Sequence, residues 1–255
     1  MERVPGDHCG VARLQLRFED HSKRSAIGAK EHQGLKQPRD LPAGDFSSWL
    51  RQARNALRTD GGTDVECGEC VGCCTSSYFI HIRPEEGDVL DCIAKDIPVA
   101  APGLPQGHVL LGYDQRGICP MLVERRCSIY EHRPLTCRQY DCRVFAAAGI
   151  AAGGSDKVRI NERVWRWKFS YPTMNDRDEH LAVQAAAKFI REHAECFPGG
   201  RTPSDPSQLA VLALKVYGVF LEEGEASAAA VRVAADTDVA NAVVEACREF
   251  DAMRR

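Results

Sequence analysis

Eight of the twelve cysteines in this 255-residue chain fall between positions 67 and 142, and their spacing is its strongest chemical signal. Cys67, Cys70, Cys73 and Cys74 read C-x2-C-x2-C-C. Cys119, Cys127, Cys137 and Cys142 follow with seven, nine and four residues between them. Cys9, Cys92, Cys196 and Cys247 are scattered singly. A disulfide framework would need an oxidising compartment. The first thirty residues show no continuous apolar run of the kind an export signal carries, being broken by Glu2, Arg3, Asp7, Arg13, Arg17, Glu19 and Asp20. Neighbouring Cα atoms also stand about 3.8 Å apart, below the ~4.4 Å at which disulfide spans usually begin, so a Cys73–Cys74 bridge would be strained. The pattern points to thiolate coordination of metal.

Thiolates are soft anionic ligands that suit zinc, iron and iron–sulfur clusters and not Mg2+ or Ca2+. The run Cys67, Cys70, Cys73 has the C-x2-C-x2-C spacing with which bacterial ferredoxins give three ligands to a 4Fe-4S cluster, the fourth coming from a distant Cys-Pro; here Cys119 precedes Pro120. Paired zinc ribbons are the alternative, although they normally carry a C-x2-C knuckle on each side and the second half of this pattern has none. The adjacent pair resists a single site. Consecutive side chains diverge by about 100° on a helix and face opposite ways on a strand, so Cys73 and Cys74 are expected to serve different metals or different edges of one cluster. Spacing alone leaves open which of the two is the odd one. Eight thiolates exceed the charge of two divalent ions, and six arginines (116, 125, 126, 133, 138 and 143) accompany the second half, where guanidinium groups near sulfur would offset the excess. Arginine is favoured over lysine along the whole chain, 25 to eight, and a basic patch for an anionic substrate is the other use of such residues.

Cys67-x2-Cys70-x2-Cys73-Cys74, then Gly117-Ile118-Cys119, then the run from Cys127 through Tyr130, Arg133 and Pro134 to Cys137, Arg138 and Tyr140, together resemble the YkgJ-type cysteine-cluster family of zinc- or iron-chelating proteins. The resemblance spans residues 67–142. It implies metal ligation by Cys67, Cys70, Cys73, Cys74, Cys119, Cys127 and Cys137, with Cys142 as the eighth member of the cluster. A tight turn that presents Cys137 accounts for Tyr130, Arg133, Pro134 and Arg138. More distantly, the cluster is similar to that of a flagellin lysine N-methylase. That keeps a metal-dependent protein-modifying enzyme among the readings, although the chain has no G-x-G-x-x-G loop and no C-x3-C-x2-C spacing of the radical S-adenosylmethionine type. No spacing supports a hydrolytic triad. His132 is either a further ligand or proton carrier, or a solvent-facing turn residue.

The elements that must hold these cysteines follow from periodicity. Residues 1–45, rich in Gly, Pro and charge, read as a disordered tail. Phe46, Trp49, Leu50, Ala53 and Leu57 predict a helix leading into the cluster. Tyr78–Ile82 and His108–Tyr113 alternate as strands, Lys157–Ile160 reads as a third, and Pro84-Glu85-Glu86 opens a helix carrying Val89, Leu90, Ile93 and Ile97. Gly149, Gly153 and Gly154 mark a flexible connector. Trp165, Trp167, Phe169 and Tyr171 alternate along one strand face, which is either buried or free to stack bases. From residue 173 the pattern is helical: Asp176 to Glu179 as a cap, a helix Leu209–Leu221 behind Ser204-Asp205-Pro206 and stopped by Gly224, and a last helix from Ala226 towards Met253.

The expected fold is α+β, with a cysteine-cluster domain over 46–172 and a helical lobe over 173–255. A net charge of −3 gives no global reason to bind nucleic acid, and no apolar window is long enough to span a membrane. A cytoplasmic location is expected. Three functions fit: an iron–sulfur or zinc/iron protein with a redox, sensing or chelating role; a modifying enzyme; or a structural zinc module that presents the helices to a protein partner.

Overall fold

Two hydrophobic cores of unequal size flank the cysteines, and the apolar periodicity explains both. The computed structural model describes residues 39–59, 61–63, 65–221 and 235–253. Cys9, most of the expected tail, Gly224 and the expected start of the last helix at Ala226 lie outside these residues. The larger core gathers helices α1 (Phe46–Thr59), α4 (Arg143–Ala148), α5 (Val158–Val164), α6 (Met174–Glu192), α7 (Pro206–Val216) and α8 (Asp236–Ala252). On α1, Phe46, Trp49, Leu50 and Ala53 form the buried stripe that their three- and four-residue steps require. The stripe meets α6, whose Val183, Ala186, Ala187 and Ile190 are fully buried. Alanines at Ala147, Ala186, Ala187, Ala210 and Ala213 allow α4, α6 and α7 to approach closely.

The smaller core joins Ile82, Val89, Ile93, Leu111, Met121 and Ile129, with Cys119 and Cys127 packed against it. It is built on an antiparallel sheet ordered β2 (Ile80–Ile82), β4 (Val109–Leu111), β3 (Val99–Ala100), and on helix α2 (Gly87–Asp91). A hairpin, β5 (Leu122–Val123) and β6 (Arg126–Cys127), carries Cys127, and a short helix α3 (Leu135–Gln139) carries Cys137. A third pairing is parallel. Strand β1 (Leu41–Asp45) runs beside β7 (Trp167–Ser170), Leu41 opposite Trp167 and Asp45 opposite Ser170, with a bulge before Gly44. The architecture is α+β with a helical C-terminal region, as expected.

Several local expectations are corrected. Leu41–Asp45, read as tail, is strand β1. Lys157–Ile160 is not a strand: it enters α5, because Ile160 and Val164, four apart, are buried together while Val158 is 49% exposed. The stretch read as a flexible connector is ordered by packing. Phe145, Ala147 and Ala148 of α4 are buried, Gly149 closes that helix at φ 66°, and Ala152 donates its N–H to Asn161 Oδ1 at 2.7 Å. The aromatic strand is shorter than its alternation predicts. Trp167 and Phe169 pack on the core, whereas Trp165 ends α5 at 65% exposure and Tyr171 is 45% exposed. The cap of α6 is Thr173, whose hydroxyl accepts from Asp176 N–H while Asp176 accepts from the Thr173 N–H, a reciprocal box one turn earlier than expected. Ile93 and Ile97 lie beyond α2, which stops at Asp91.

Two buried carboxylates tie distant segments together. Asp141, 7% exposed, accepts from Trp49 Nε1 at 3.0 Å, from Thr63 Oγ1 at 2.8 Å and from the backbone and guanidinium of Arg143. Asp176 accepts from Ser47 N–H at 2.9 Å as well as from Thr173, and these donors hold its carboxyl down at about 2. Asp141→Ala is expected to cost about 3 kcal/mol, because it strands a partly buried guanidinium and two donors; urea unfolding at neutral pH measures it. Asp176 stabilises the fold only while ionised in the native state. The melting-temperature gap between the wild type and Asp176→Asn should be full above pH ~4, the unfolded value, and should shrink as the pH falls towards 2.

Candidate metal centre

All eight clustered cysteines line one cavity of about 1050 Å3 that opens between the two cores. The first four arrive on a tight loop. Cys70 N–H closes back on Cys67 C=O at 2.9 Å, and Cys73, Cys74 and Thr75 form a single 3-10 turn. At three residues per turn, the side chains of Cys73 and Cys74 leave the axis about 120° apart. Gly72 lets this turn sit against α5: a Cβ there would meet Arg159 C=O and Ile160 Cγ1 at 3.3 Å. Cys119 is pinned beside the turn by its N–H, which donates to Cys74 C=O at 2.8 Å. Cys127 is delivered by the β5–β6 hairpin, whose two-residue tip, Glu124 and Arg125, is left-handed at both positions (φ 47° and 62°). Cys137 sits on α3, which the buried carboxylate of Glu86 caps by accepting Leu135 N–H at 2.6 Å. Thr136 Oγ1 ties the same helix to His81 C=O at 2.6 Å. Cys142 stands at the start of α4, next to the Asp141 anchor.

Burial dominates the chemistry of these thiols. It pushes Cys74 and Cys137 up to about 12, Cys73 well above its ordinary value, and Cys119, Cys127 and Cys142 upward as well. Mutual repulsion among the would-be thiolates adds to burial in each case. The repulsion crosses the whole set, Cys74 being among the groups that oppose Cys73 and Cys70 among those that oppose Cys74. Cys73 is opposed first by Cys142 and Cys70, and Cys74 first by Cys119 and Cys127. Cys137 is opposed by Cys74, Cys119, Cys127 and Cys67, and Cys67 also opposes Cys73, Cys74 and Cys127. Against this, N–H groups already point at sulfur: Gly72 at Cys70 (3.4 Å), Met121 at Cys119, Ile129 at Cys127, and Trp167 Nε1 at Cys142 (3.2 Å). Such donors favour the ionised form. Arg133 Nη1 reaches Cys67 Sγ at 3.5 Å, and Arg163 favours ionised Cys142. A soft cation would offset the burial and repulsion that oppose ionisation, and eight cysteine sulfurs lining one cavity are the donors such a cation takes, so the donor set fits a metal–thiolate centre. Among the described residues, no three Cys, His, Asp or Glu side chains converge on a common point as they stand.

The residues around the thiols sort the earlier expectations. Arg125, Arg126 and Arg133 line the cavity. Arg143 is spent on Asp141, and Arg116 pairs with Asp114 at 77% exposure. His132 is the solvent-facing turn residue of the two options: it is 54% exposed, 4.0 Å from Asp88, and outside the cavity wall. Cys92, Cys196 and Cys247 are also outside it. Cys119, whose following proline suggests a set with Cys67, Cys70 and Cys73, lies beside Cys74 through a main-chain hydrogen bond, and Cys142 packs with Cys73 in the larger core. Sequence reasoning missed Trp167 and Arg163 as neighbours of Cys142. It also missed Tyr78, whose hydroxyl lies 3.3 Å from that of Tyr140 on the cavity wall; burial and the nearby Cys73 push the Tyr140 phenol far up. No spacing links Trp167 or Tyr78 to the cluster, because folding alone brings them there.

Residues 66–162 match the family model CxxCxxCC, described as a putative zinc- or iron-chelating domain, and this is the family that the motifs resemble. The match covers well under half of the chain and contains every cysteine of the cavity. No curated protein and no solved structure matches the chain. No helix among the described residues is long and apolar enough to cross a membrane.

The indole N–H on Cys142 should matter for loading. Trp167→Phe keeps the packing but removes the donor, and is expected to weaken metal affinity about 10–100-fold in chelator competition. Trp165→Phe, at an exposed position, should leave it unchanged.

Proposed function

We propose that this chain is a cytoplasmic iron–sulfur protein that carries a 4Fe-4S-type cluster on its buried thiols and serves a redox or iron-sensing role. The observation that carries the reading is the gathering of eight thiols in one cavity. A closed zinc site takes four ligands, so eight point to more than one ion or to a polynuclear centre. The C-x2-C-x2-C run with a fourth thiol, Cys142, close to Cys73 supports iron–sulfur over zinc, since that is the ligand economy of ferredoxin-type loops. Sulfur-directed N–H groups and the guanidinium of Arg133 are the protein's means of tuning a cluster potential. Bound metal would supply the electron storage or the Lewis acidity. The chain's own residues hold the thiolates, limit solvent access and balance charge.

Anaerobic purification of the full chain, followed by metal and acid-labile sulfide analysis, tests this. A brown protein with iron and sulfide in comparable amounts is the expected result. A colourless protein that contains zinc alone would overturn it in favour of a structural zinc module.

A further inference from the structure

We propose that the eight cysteines form two separate four-thiolate centres, Cys67, Cys70, Cys73 and Cys142 in one and Cys74, Cys119, Cys127 and Cys137 in the other, with the Cys73–Cys74 peptide as the seam between them. The proposal deepens the metal–thiolate reading above and rests on it. Neither the motif nor the family description divides the ligands in this way.

Three independent features place the seam. The 3-10 turn makes the two adjacent side chains leave its axis about 120° apart. Each then meets a different part of the chain. Cys74 is joined to Cys119 through a main-chain hydrogen bond, Cys119 lies three residues ahead of Leu122, and Leu122 is paired across the hairpin with Cys127. Cys119 and Cys127 pack against the smaller core. Cys73 faces the other way and packs, with Cys142, in the larger core. The third feature is the pattern of sulfur-directed donors. Each group has its own: Trp167 and Gly72 serve Cys142 and Cys70, while Met121 and Ile129 serve Cys119 and Cys127.

Cys67 is near both groups, since Tyr130 and Arg133, from the segment after Cys127, reach it. Its turn with Cys70 and the C-x2-C-x2-C spacing assign it to the centre of Cys73. The division also explains why the last cysteine, Cys142, stands far from the C-x2-C-x2-C run in sequence: it comes from the start of α4, which the larger core holds in place.

Metal content of reconstituted full-length variants tests the grouping. Cys73→Ser, Cys142→Ser, Cys74→Ser and Cys119→Ser should each lose about half of the bound metal. The double variant Cys73→Ser/Cys142→Ser should lose no more than its single parents, whereas Cys73→Ser/Cys119→Ser should lose all of it. Cys67→Ser should behave as Cys73→Ser does. Emptying of the protein by Cys73→Ser/Cys142→Ser, or a shared pool for Cys73 and Cys74, would overturn the division. If a serine variant loses its far-UV helical signal, cadmium NMR of the unaltered chain decides instead. Two uncoupled thiolate-rich resonances support two centres, and one resonance, or two coupled through a shared sulfur, rejects them. A chain that takes up no metal sinks the underlying reading and the division with it.

Discussion

Crowding eight thiols into one cleft is the constraint on which the rest of this molecule depends. A thiol is a small hydrophobe and packs without difficulty. A thiolate in the same place is opposed both by lost hydration and by every other thiolate near it, and the upward displacement of Cys73, Cys74 and Cys137 records both effects. Burial and mutual repulsion therefore favour the protonated thiols of Cys73, Cys74 and Cys137 unless a cation compensates their charge. Capture of a metal by each thiol expels a proton, so the protein exchanges one kind of positive charge for another.

The scaffold answers this constraint with carboxylates placed one step away from the sulfurs. Glu86 receives the first free N–H of the helix that bears Cys137, and Asp141 receives the N–H of Arg143 just after Cys142. Neither acid is turned to the cavity as a ligand. Both fix the backbone from which a cysteine projects, and both are buried, so each joins elements far apart in sequence: Glu86 ties α3 to the β2–α2 connection, and Asp141 ties α4 to Trp49 of α1. The two hydrophobic cores then act as jaws. One carries the hairpin cysteines and the other carries Cys73 and Cys142.

How much of this was legible in the sequence depends on range. The eight cysteines, their confinement to one place and the amphipathic α1 followed from spacing alone, because soft ligands and apolar stripes leave periodic marks. Strands β2 and β4 were legible for the same reason. Lys157–Ile160 misled because two apolar residues two apart fit a strand as well as a helix, and the deciding neighbour, Val164, is a full turn away. The Ala-Gly stretch misled because small residues mark both flexible connectors and close helix packing, and only the partners Ala186 and Ala210 separate the two. The main-chain hydrogen bond from Cys119 to Cys74 could not be read from the sequence, since such a bond from one segment to another has no sequence signature. Trp167 belongs to the same class: its place beside Cys142 depends on the parallel pairing of β7 with β1.

That indole has an optical consequence. Three tryptophans serve the whole chain, and they occupy three unlike settings: Trp49 is enclosed by the core, Trp165 is open to solvent, and Trp167 donates to a sulfur of the cavity. Metal bound to that sulfur would change how strongly it quenches the excited indole it touches. The blue-shifted light of Trp49, the red-shifted light of Trp165 and the quenched light of Trp167 would thus make the protein's own emission a gauge of how full its cleft is, with no dye attached.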